Sequence, residues 1–189
     1  MPGAWVLALH DPDRRRGPLT WPNLITLLRL CAVPAVVLLI LRGRLDIALM
    51  VFIAAGISDG LDGWLARATG TRSALGAVLD PVADKALLVS VYVTLAAVNV
   101  LPDWIAVLVV FRDLLIVGGY LVLWVAGHRM PIEPILVSKA NTALQIALVA
   151  LALAGVPEML LDATLWLTAA STLLSGGIYV VRAARASAA

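Results

Sequence analysis

Cysteine, histidine and charge are all scarce in this chain of 189 residues. The one cysteine, Cys31, lies in an apolar run, and no intrachain disulfide is possible. The two histidines, His10 and His128, are far apart in sequence and form no ligand pair. Charged residues make up 14% of the chain and hydrophobic residues 62%, which is more apolar surface than a water-soluble domain of this length can bury. The composition therefore predicts a polytopic helical membrane protein.

Six apolar segments are long enough to cross a bilayer, which takes about 20 residues. They cover residues 21–41, 45–67, 73–100, 102–126, 138–154 and 159–181. We predict an all-α integral membrane protein in which residues 21–183 form one domain of six transmembrane helices. Residues 1–20 are expected to form an interfacial segment and residues 184–189 a C-terminal tail. The apolar run at residues 5–9 is too short for a cleavable signal peptide. Arg14, Arg15 and Arg16 also follow this run, whereas the basic residues of a signal peptide precede its apolar part.

Basic residues divide unequally between the two ends of these segments. One end collects Arg14, Arg15, Arg16, Arg67, Arg72, Arg129, Lys139, Arg182 and Arg185. The other has Arg42 and Arg44, with Asp46, Asp103, Glu158 and Asp162 near them. Because basic segments stay on the cytoplasmic side of a membrane, we predict that both termini are cytoplasmic.

Four aspartates, Asp59, Asp62, Asp80 and Asp84, interrupt the second and third apolar segments. An ionised Asp at the centre of a membrane helix costs about 2.5–3.5 kcal/mol, so four of them require compensation. Residues three or four apart share one helix face, and a short turn near residues 68–72 is expected to place the two helices antiparallel and side by side. The two pairs then converge into a cluster of oxygen ligands, which suits Mg²⁺ or Mn²⁺ better than zinc or copper.

Ion pairing and proton transport are the alternatives to a metal site for these aspartates. Buried ion pairs with Arg67, Arg72, Lys85 and Arg112 would balance their charges. Proton-coupled transport also uses carboxylates within the membrane, although no internal repeat or pair of broken helices is evident. Arg112 and its neighbour Asp113 either pair with each other or find separate partners. We expect the latter, because adjacent residues on a helix point about 100° apart.

Some polar and aromatic residues of the segments allow a structural role. Asn141, Thr142 and Gln145 are either interhelical hydrogen-bond partners or part of a binding site. Tryptophans near the segment ends, such as Trp104, are typical of the aromatic belt at a membrane surface. Trp166 lies further inside its segment and fits this belt less well.

The run from Asp59 to Asp84 resembles, at every fixed position, the signature of the CDP-alcohol phosphotransferase family. It reads Asp59-x2-Asp62-Gly63-x2-Ala66-Arg67-x8-Gly76-x3-Asp80-x3-Asp84. The likeness covers about residues 19–155. It implies a six-helix membrane enzyme, with a polar active-site cavity open to the cytoplasm, that transfers a phosphoalcohol group from a CDP-linked lipid to an alcohol and releases CMP. It also implies a homodimer.

The resemblance suggests roles for individual residues. It implies that two Mg²⁺ or Mn²⁺ ions are held by Asp59, Asp62 and Asp80, and that Asp84 is the general base and also touches the second ion. The residues expected to bind the CDP moiety are Asn23, Thr26, Gly63, Ala66, Arg67 and Gly76. The acceptor carries a phosphate, and the candidates to bind it are Arg112, Lys139 and Arg72.

Within the family, the chain is most similar to CMP-forming cardiolipin synthases of the mitochondrial type. The likeness rests on Arg72-Ser73-Ala74-Leu75-Gly76, Leu79-Asp80-Pro81-x-Ala83-Asp84-Lys85, Arg112-Asp113 and Ser138-Lys139-x-Asn141-Thr142-x2-Gln145. It implies CDP-diacylglycerol and phosphatidylglycerol as substrates. The alternative acceptor is glycerol 3-phosphate, used by relatives that share Pro22-Asn23-x2-Thr26-x2-Arg29. We expect contacts with membrane lipids, no nucleic-acid partner, and a bacterial inner (plasma) membrane location with the active site facing the cytoplasm.

Overall fold

The computed structural model describes the backbone of residues 21–69, 74–125 and 136–187 and, within them, the side chains of residues 27–58, 83, 85–119 and 136–184. The predicted interfacial segment 1–20 lies outside these ranges. The helices are α1 (Trp21–Leu41), α2 (Leu45–Thr69), α3 (Ala74–Ala97), α4 (Asp103–Val125), α5 (Leu136–Ala154) and α6 (Glu158–Ser187). Each overlaps one of the six predicted segments over most of its length, and the all-helical prediction is confirmed.

Three short connections join α1 to α2, α3 to α4 and α5 to α6. Each contains a residue in the left-handed conformation: Gly43 with φ 70°, Asn99 with φ 58° and Gly155 with φ 63°. The N–H of the next residue donates to the carbonyl five positions earlier, at 2.9, 2.9 and 3.4 Å. This pattern ends a helix abruptly, and the helices of each joined pair pack together. These turns therefore lie at one end of the bundle. We name the opposite end, where α1, α3 and α5 begin, the motif end.

The helices pack in a ring whose order differs from the chain order. Around the ring the order is α1, α2, α5, α6, α4 and α3, and α3 returns to α1. A further contact between α3 and α5 crosses the interior. Within the described part of the chain, α1 packs against both α2 and α3. The packing of α2 and α3 side by side at the aspartate motif stays a prediction. The short connection at residues 70–73 constrains the adjoining ends of α2 and α3, and these are the ends that carry the motif.

Apolar side chains cover the outside of this ring as well as its core. Val91, Tyr92 and Leu95 of α3 are fully buried, whereas Met50 and Phe111 are 70% and 61% exposed. Contiguous exposed apolar faces of this kind are rare on water-soluble monomers. Among the described residues, α5 and residues Glu158–Ala184 of α6 are long and apolar enough to cross a membrane. Shorter apolar stretches occur in α1, α2 and α3. The architecture is membrane-like and all-helical.

Trp104 and Trp166 form an aromatic contact between α4 and α6. Their ring centroids are 5.4 Å apart and the rings are tilted by 36°, which is a favourable arrangement for two aromatic side chains. Trp104 is the second residue of α4. The structure therefore places Trp166 at the level of the belt tryptophan Trp104, although its position along the sequence did not suggest this.

Candidate active site

The four aspartates of the motif occupy helical positions at matching depths. Asp59 lies ten residues before the last residue of α2, and Asp84 lies ten residues after the first residue of α3. At 1.5 Å per residue, both are about 15 Å along the helix axis from the motif end. Asp62 and Asp80 are both about 10 Å from it on the same basis. The helical backbone gives each pair one shared face.

This arrangement fits a divalent cation bound between the two helices. Residues 70–73 connect α2 to α3, and a link this short holds the two adjoining helix ends within about 17 Å of each other. Carboxylate oxygens are the ligands that Mg²⁺ and Mn²⁺ prefer, so the four backbone positions are compatible with the predicted metal site. The side chains of these four residues lie outside the described ones, among which no group of three or more potential metal ligands occurs.

The predicted CDP-binding residues belong to the same end of the bundle. Asn23 and Thr26 lie in the first turns of α1, Gly63, Ala66 and Arg67 in the last turns of α2, and Gly76 in the first turn of α3. Their side chains are outside the described ones, and Arg72 lies outside the described residues altogether. The backbone thus gathers these positions around the motif end, as a shared site requires.

The predicted acceptor residues Arg112 and Lys139 have different environments. Lys139, in the first turns of α5, is exposed. Arg112 is only 5% exposed and donates from Nη1 to Asp113 Oδ1 at 2.9 Å. The expectation that Arg112 and Asp113 find separate partners is therefore wrong in part: they pair, and each has a further partner. The long arginine side chain can bend back across the 100° that separates neighbouring positions on a helix.

Asp113 also pairs with a lysine that sequence reasoning did not place in the site. Lys85 Nζ donates to Asp113 Oδ2 at 2.5 Å, joining α3 to α4. Lys85 directly follows Asp84 in an apolar segment. A charged residue in such a run indicates a functional site by itself, and this signal could have identified it. We name Lys85, Asp113 and Arg112 the ion cluster.

Two serines accept hydrogen bonds from the other terminal nitrogen of the Arg112 guanidinium. Arg112 Nη2 donates to Ser138 Oγ of α5 at 2.8 Å and to Ser175 Oγ of α6 at 2.6 Å. A Cβ added at Gly176 would lie 3.6 Å from Cγ of Arg112, so a small residue is present where the arginine stem passes. The ion cluster and its serines consequently connect four helices, α3 to α6, at one point.

Asn141 of α5 has the interhelical hydrogen-bonding role that the sequence left open for three polar residues of this helix. Asn141 Oδ1 accepts hydrogen bonds from Ser171 Oγ at 2.6 Å and from Thr172 Oγ1 at 2.8 Å. The backbone carbonyl of Gln145 accepts from Tyr92 Oη of α3 at 3.0 Å. Asn141 and Gln145 are fully buried. Asn141 therefore holds α5 against α6 through its side chain, as polar side chains do between membrane helices. At Gln145 the hydrogen bond to α3 is made by the backbone carbonyl.

A cavity of about 490 Å³ opens between α1, α2, α3 and α5. Apolar side chains form most of its wall, including Phe52, Leu88 and Ile146. Its charged lining residues among the described ones are Arg29 and Lys85, and both are cationic. We name this cavity the groove. An apolar wall that also carries two cationic residues suits a ligand that has a hydrocarbon chain and an anionic group.

The fold and the site together define a class. This is an all-helical, membrane-like protein with paired carboxylates on two connected helices and a groove of mixed apolar and cationic character. The sequence model of the CDP-alcohol phosphatidyltransferase family matches residues 19–174. The chain belongs to this family.

Curated relatives support the same assignment. The chain is 34% identical over 171 residues to human cardiolipin synthase (CMP-forming), covering 81% of this chain and 56% of the relative. The rat enzyme of the same name is 34% identical over 169 residues, covering 80% and 55%. A chloroplastic CDP-diacylglycerol–glycerol-3-phosphate 3-phosphatidyltransferase from rice is 34% identical over 181 residues, covering 83% and 55%. The chain thus spans about half the length of these relatives.

Proposed function

We propose that this protein transfers the phosphatidyl group of CDP-diacylglycerol to phosphatidylglycerol and forms cardiolipin and CMP in a metal-dependent reaction. The observation that carries the proposal is the complete aspartate motif on α2 and α3, with its two pairs at matching depth from one end of the bundle. The human and rat relatives have this activity in their names, and the groove suits a phospholipid. A second candidate acceptor is glycerol 3-phosphate, because the rice relative is named for it.

The reaction is a displacement at the phosphorus that carries diacylglycerol. The acceptor hydroxyl oxygen forms a bond to this phosphorus, and the bond to the oxygen that bridges to CMP breaks. CMP leaves with the bridging oxygen and its electron pair. The hydroxyl proton passes to the carboxylate of Asp84, which acts as the general base.

The other motif residues bind and orient the donor. Asp59, Asp62 and Asp80, together with Asp84, would hold the divalent cations, which when bound neutralise the diphosphate and stabilise the leaving phosphate. Arg67 presents a planar guanidinium that can donate to two phosphate oxygens. Gly63 and Gly76 allow a close approach of the nucleotide to the backbone. Asn23 and Thr26 extend this part of the site to α1.

We further propose that all six helices span the membrane, with both termini and the motif end in the cytoplasm. The excess of arginine and lysine at the motif end supports this orientation. A bacterial inner membrane and a homodimeric assembly are the corresponding expectations for location and oligomeric state. Cysteine labelling of single-cysteine variants from either side of sealed vesicles tests the orientation.

The acceptor is identified by product analysis with purified protein, CDP-diacylglycerol and Mn²⁺. One reaction contains phosphatidylglycerol and a parallel one contains glycerol 3-phosphate. We expect CMP and cardiolipin from the first reaction and little product from the second. Phosphatidylglycerophosphate from the second reaction alone would replace our choice of acceptor with glycerol 3-phosphate. If neither reaction releases more CMP than the same reaction with an Asp59→Asn variant, the enzymatic proposal is contradicted.

The groove gives a separate prediction about the lipid substrate. Gly56 lines it, and a Cβ added there would meet nothing within 4 Å. We expect Gly56→Leu to fill part of the groove without distorting the bundle and to raise the KM for a phospholipid substrate about tenfold. The matched control is Gly177→Leu, since a Cβ at Gly177 is equally unobstructed but lies outside the groove. Equal kinetics for the two variants would show that the groove does not take a substrate chain.

A further inference from the structure

The two cations of the ion cluster differ in what they can reach. The side chains of Arg112 and Asp113 are 5% and 8% exposed, whereas the side chain of Lys85 is 41% exposed and lines the groove. Arg112 already donates to Asp113, Ser138 and Ser175. A ligand in the groove can therefore meet the ammonium of Lys85 directly, with Arg112 lying behind it.

The formal charges of the cluster do not balance. Its three described members are two cations and one carboxylate, with a formal net charge of +1. Lys85 also has three N–H donors, and within the described residues the structure shows one of them in use, toward Asp113. Both observations point to an anionic group beside Lys85.

We propose that Lys85 binds the phosphate of the acceptor, and that Asp113 and Arg112 are positioning residues that fix its ammonium at the wall of the groove. This inference rests on the proposed function. It replaces direct phosphate binding by Arg112 with a chain of contacts: two serines orient Arg112, Arg112 orients Asp113, and Asp113 orients Lys85. The ligand class is a glycerol phosphate or its lipid diester with a free terminal hydroxyl.

The position of Lys85 in the sequence agrees with this ligand. Asp84, the proposed general base, is its neighbour, so the two Cα atoms are about 3.8 Å apart. In both candidate acceptors a three-carbon glycerol unit separates the reacting hydroxyl from the phosphate. One acceptor molecule is therefore long enough to place its hydroxyl at residue 84 and its phosphate at residue 85.

The first test compares Lys85→Met and Lys85→Arg with the wild-type protein, using whichever acceptor supports turnover. We expect Lys85→Met to raise the acceptor KM about tenfold, as for the loss of one charge-assisted hydrogen bond. The KM for CDP-diacylglycerol should stay within about twofold and kcat should change less than the acceptor KM. Lys85→Arg keeps the cation and should recover most of the affinity. A rise confined to the KM of CDP-diacylglycerol would overturn the proposal.

The second test asks whether Asp113 acts through Lys85. We expect Asp113→Asn to raise the acceptor KM several-fold alone, and to add nothing in the Lys85→Met background, because the residue that it positions is already gone. Independent, multiplying effects of the two substitutions would overturn the positioning role. The positioning role is also overturned if Asp113→Asn lowers the unfolding temperature and leaves the acceptor KM unchanged, since the contact between Asp113 and Lys85 is then only structural.

A control variant and the wild-type protein distinguish failure of this inference from failure of the proposed function. Thr94 is buried in α3 and donates to the carbonyl of Ser90 in the same helix, so Thr94→Val should leave both KM values unchanged. If wild-type protein releases CMP but Lys85→Met has wild-type kinetics, the inference fails and the function stands. If wild-type protein releases no CMP with either acceptor, the proposed function fails, and the inference fails with it.

Discussion

Asp84→Asn is expected to lower kcat for CMP release about a thousandfold. A general base contributes about 10²–10⁴ to the rate of a proton transfer, and an amide cannot accept the hydroxyl proton. Asparagine has nearly the same size as aspartate, so α3 should fold as before. Release of CMP from CDP-diacylglycerol, measured at saturating acceptor, reports the effect, and thermal unfolding in detergent checks that the variant is folded.

Asp46→Asn is the matched control for this substitution. Asp46 lies in the first turn of α2, far from the motif end, and its exposed carboxylate is 3.6 Å from Arg44. An exposed ion pair of this kind contributes little to stability, so the variant should keep wild-type kcat and KM. An Asp84→Asn variant with kcat within tenfold of the wild type would show that another group accepts the proton.

Removal of divalent cations is the second change with a large expected effect. Treatment with a chelator should reduce CMP release about a thousandfold, because a bound cation contributes several kcal/mol to stabilising phosphoryl charge. Added Mg²⁺ or Mn²⁺ should restore the rate, whereas Zn²⁺, which prefers nitrogen and sulfur ligands, should restore it poorly. The rate as a function of free cation concentration gives the apparent affinity.

The same titration assigns the ligands. Asp62→Asn and Asp80→Asn each remove one carboxylate oxygen donor and should move the half-maximal Mn²⁺ concentration upward. The Asp46→Asn variant should titrate like the wild type. Persistent CMP release after exhaustive chelation, with no dependence on added cation, would be incompatible with a metal site at these aspartates.

The helices were predictable because each is a long apolar run with clear interruptions. The first predicted segment and α1 have identical bounds, and α5 begins two residues before its predicted start. The largest difference is at α6, which continues to Ser187, six residues past the predicted end. Its extension contains alanine and arginine, which favour helix but do not extend an apolar run. Hydropathy therefore locates the apolar part of this helix and misses its polar end.

Packing partners were less predictable than helices. The order of helices around the ring depends on the fit of whole faces, and neither the link between α2 and α3 nor the motif shows that α1 packs against both. Lys85 and Asp113 are 28 positions apart in sequence, on helices that carry no periodic signal for this contact. The aspartate motif could be recognised from the sequence because its four aspartates lie within one short stretch, where spacing along a helix determines which residues share a face.

The serine partners of Arg112 have a consequence for biogenesis. Ser138 and Ser175 lie 26 and 63 residues after Arg112, so α4 is synthesised before either serine. Until α5 and α6 arrive, Asp113 is the one of these hydrogen-bond partners that Arg112 can already reach. These last two helices are also the long apolar ones, joined by a tight glycine turn. Their arrival as a hairpin supplies both hydroxyl groups and completes the assembly of α4.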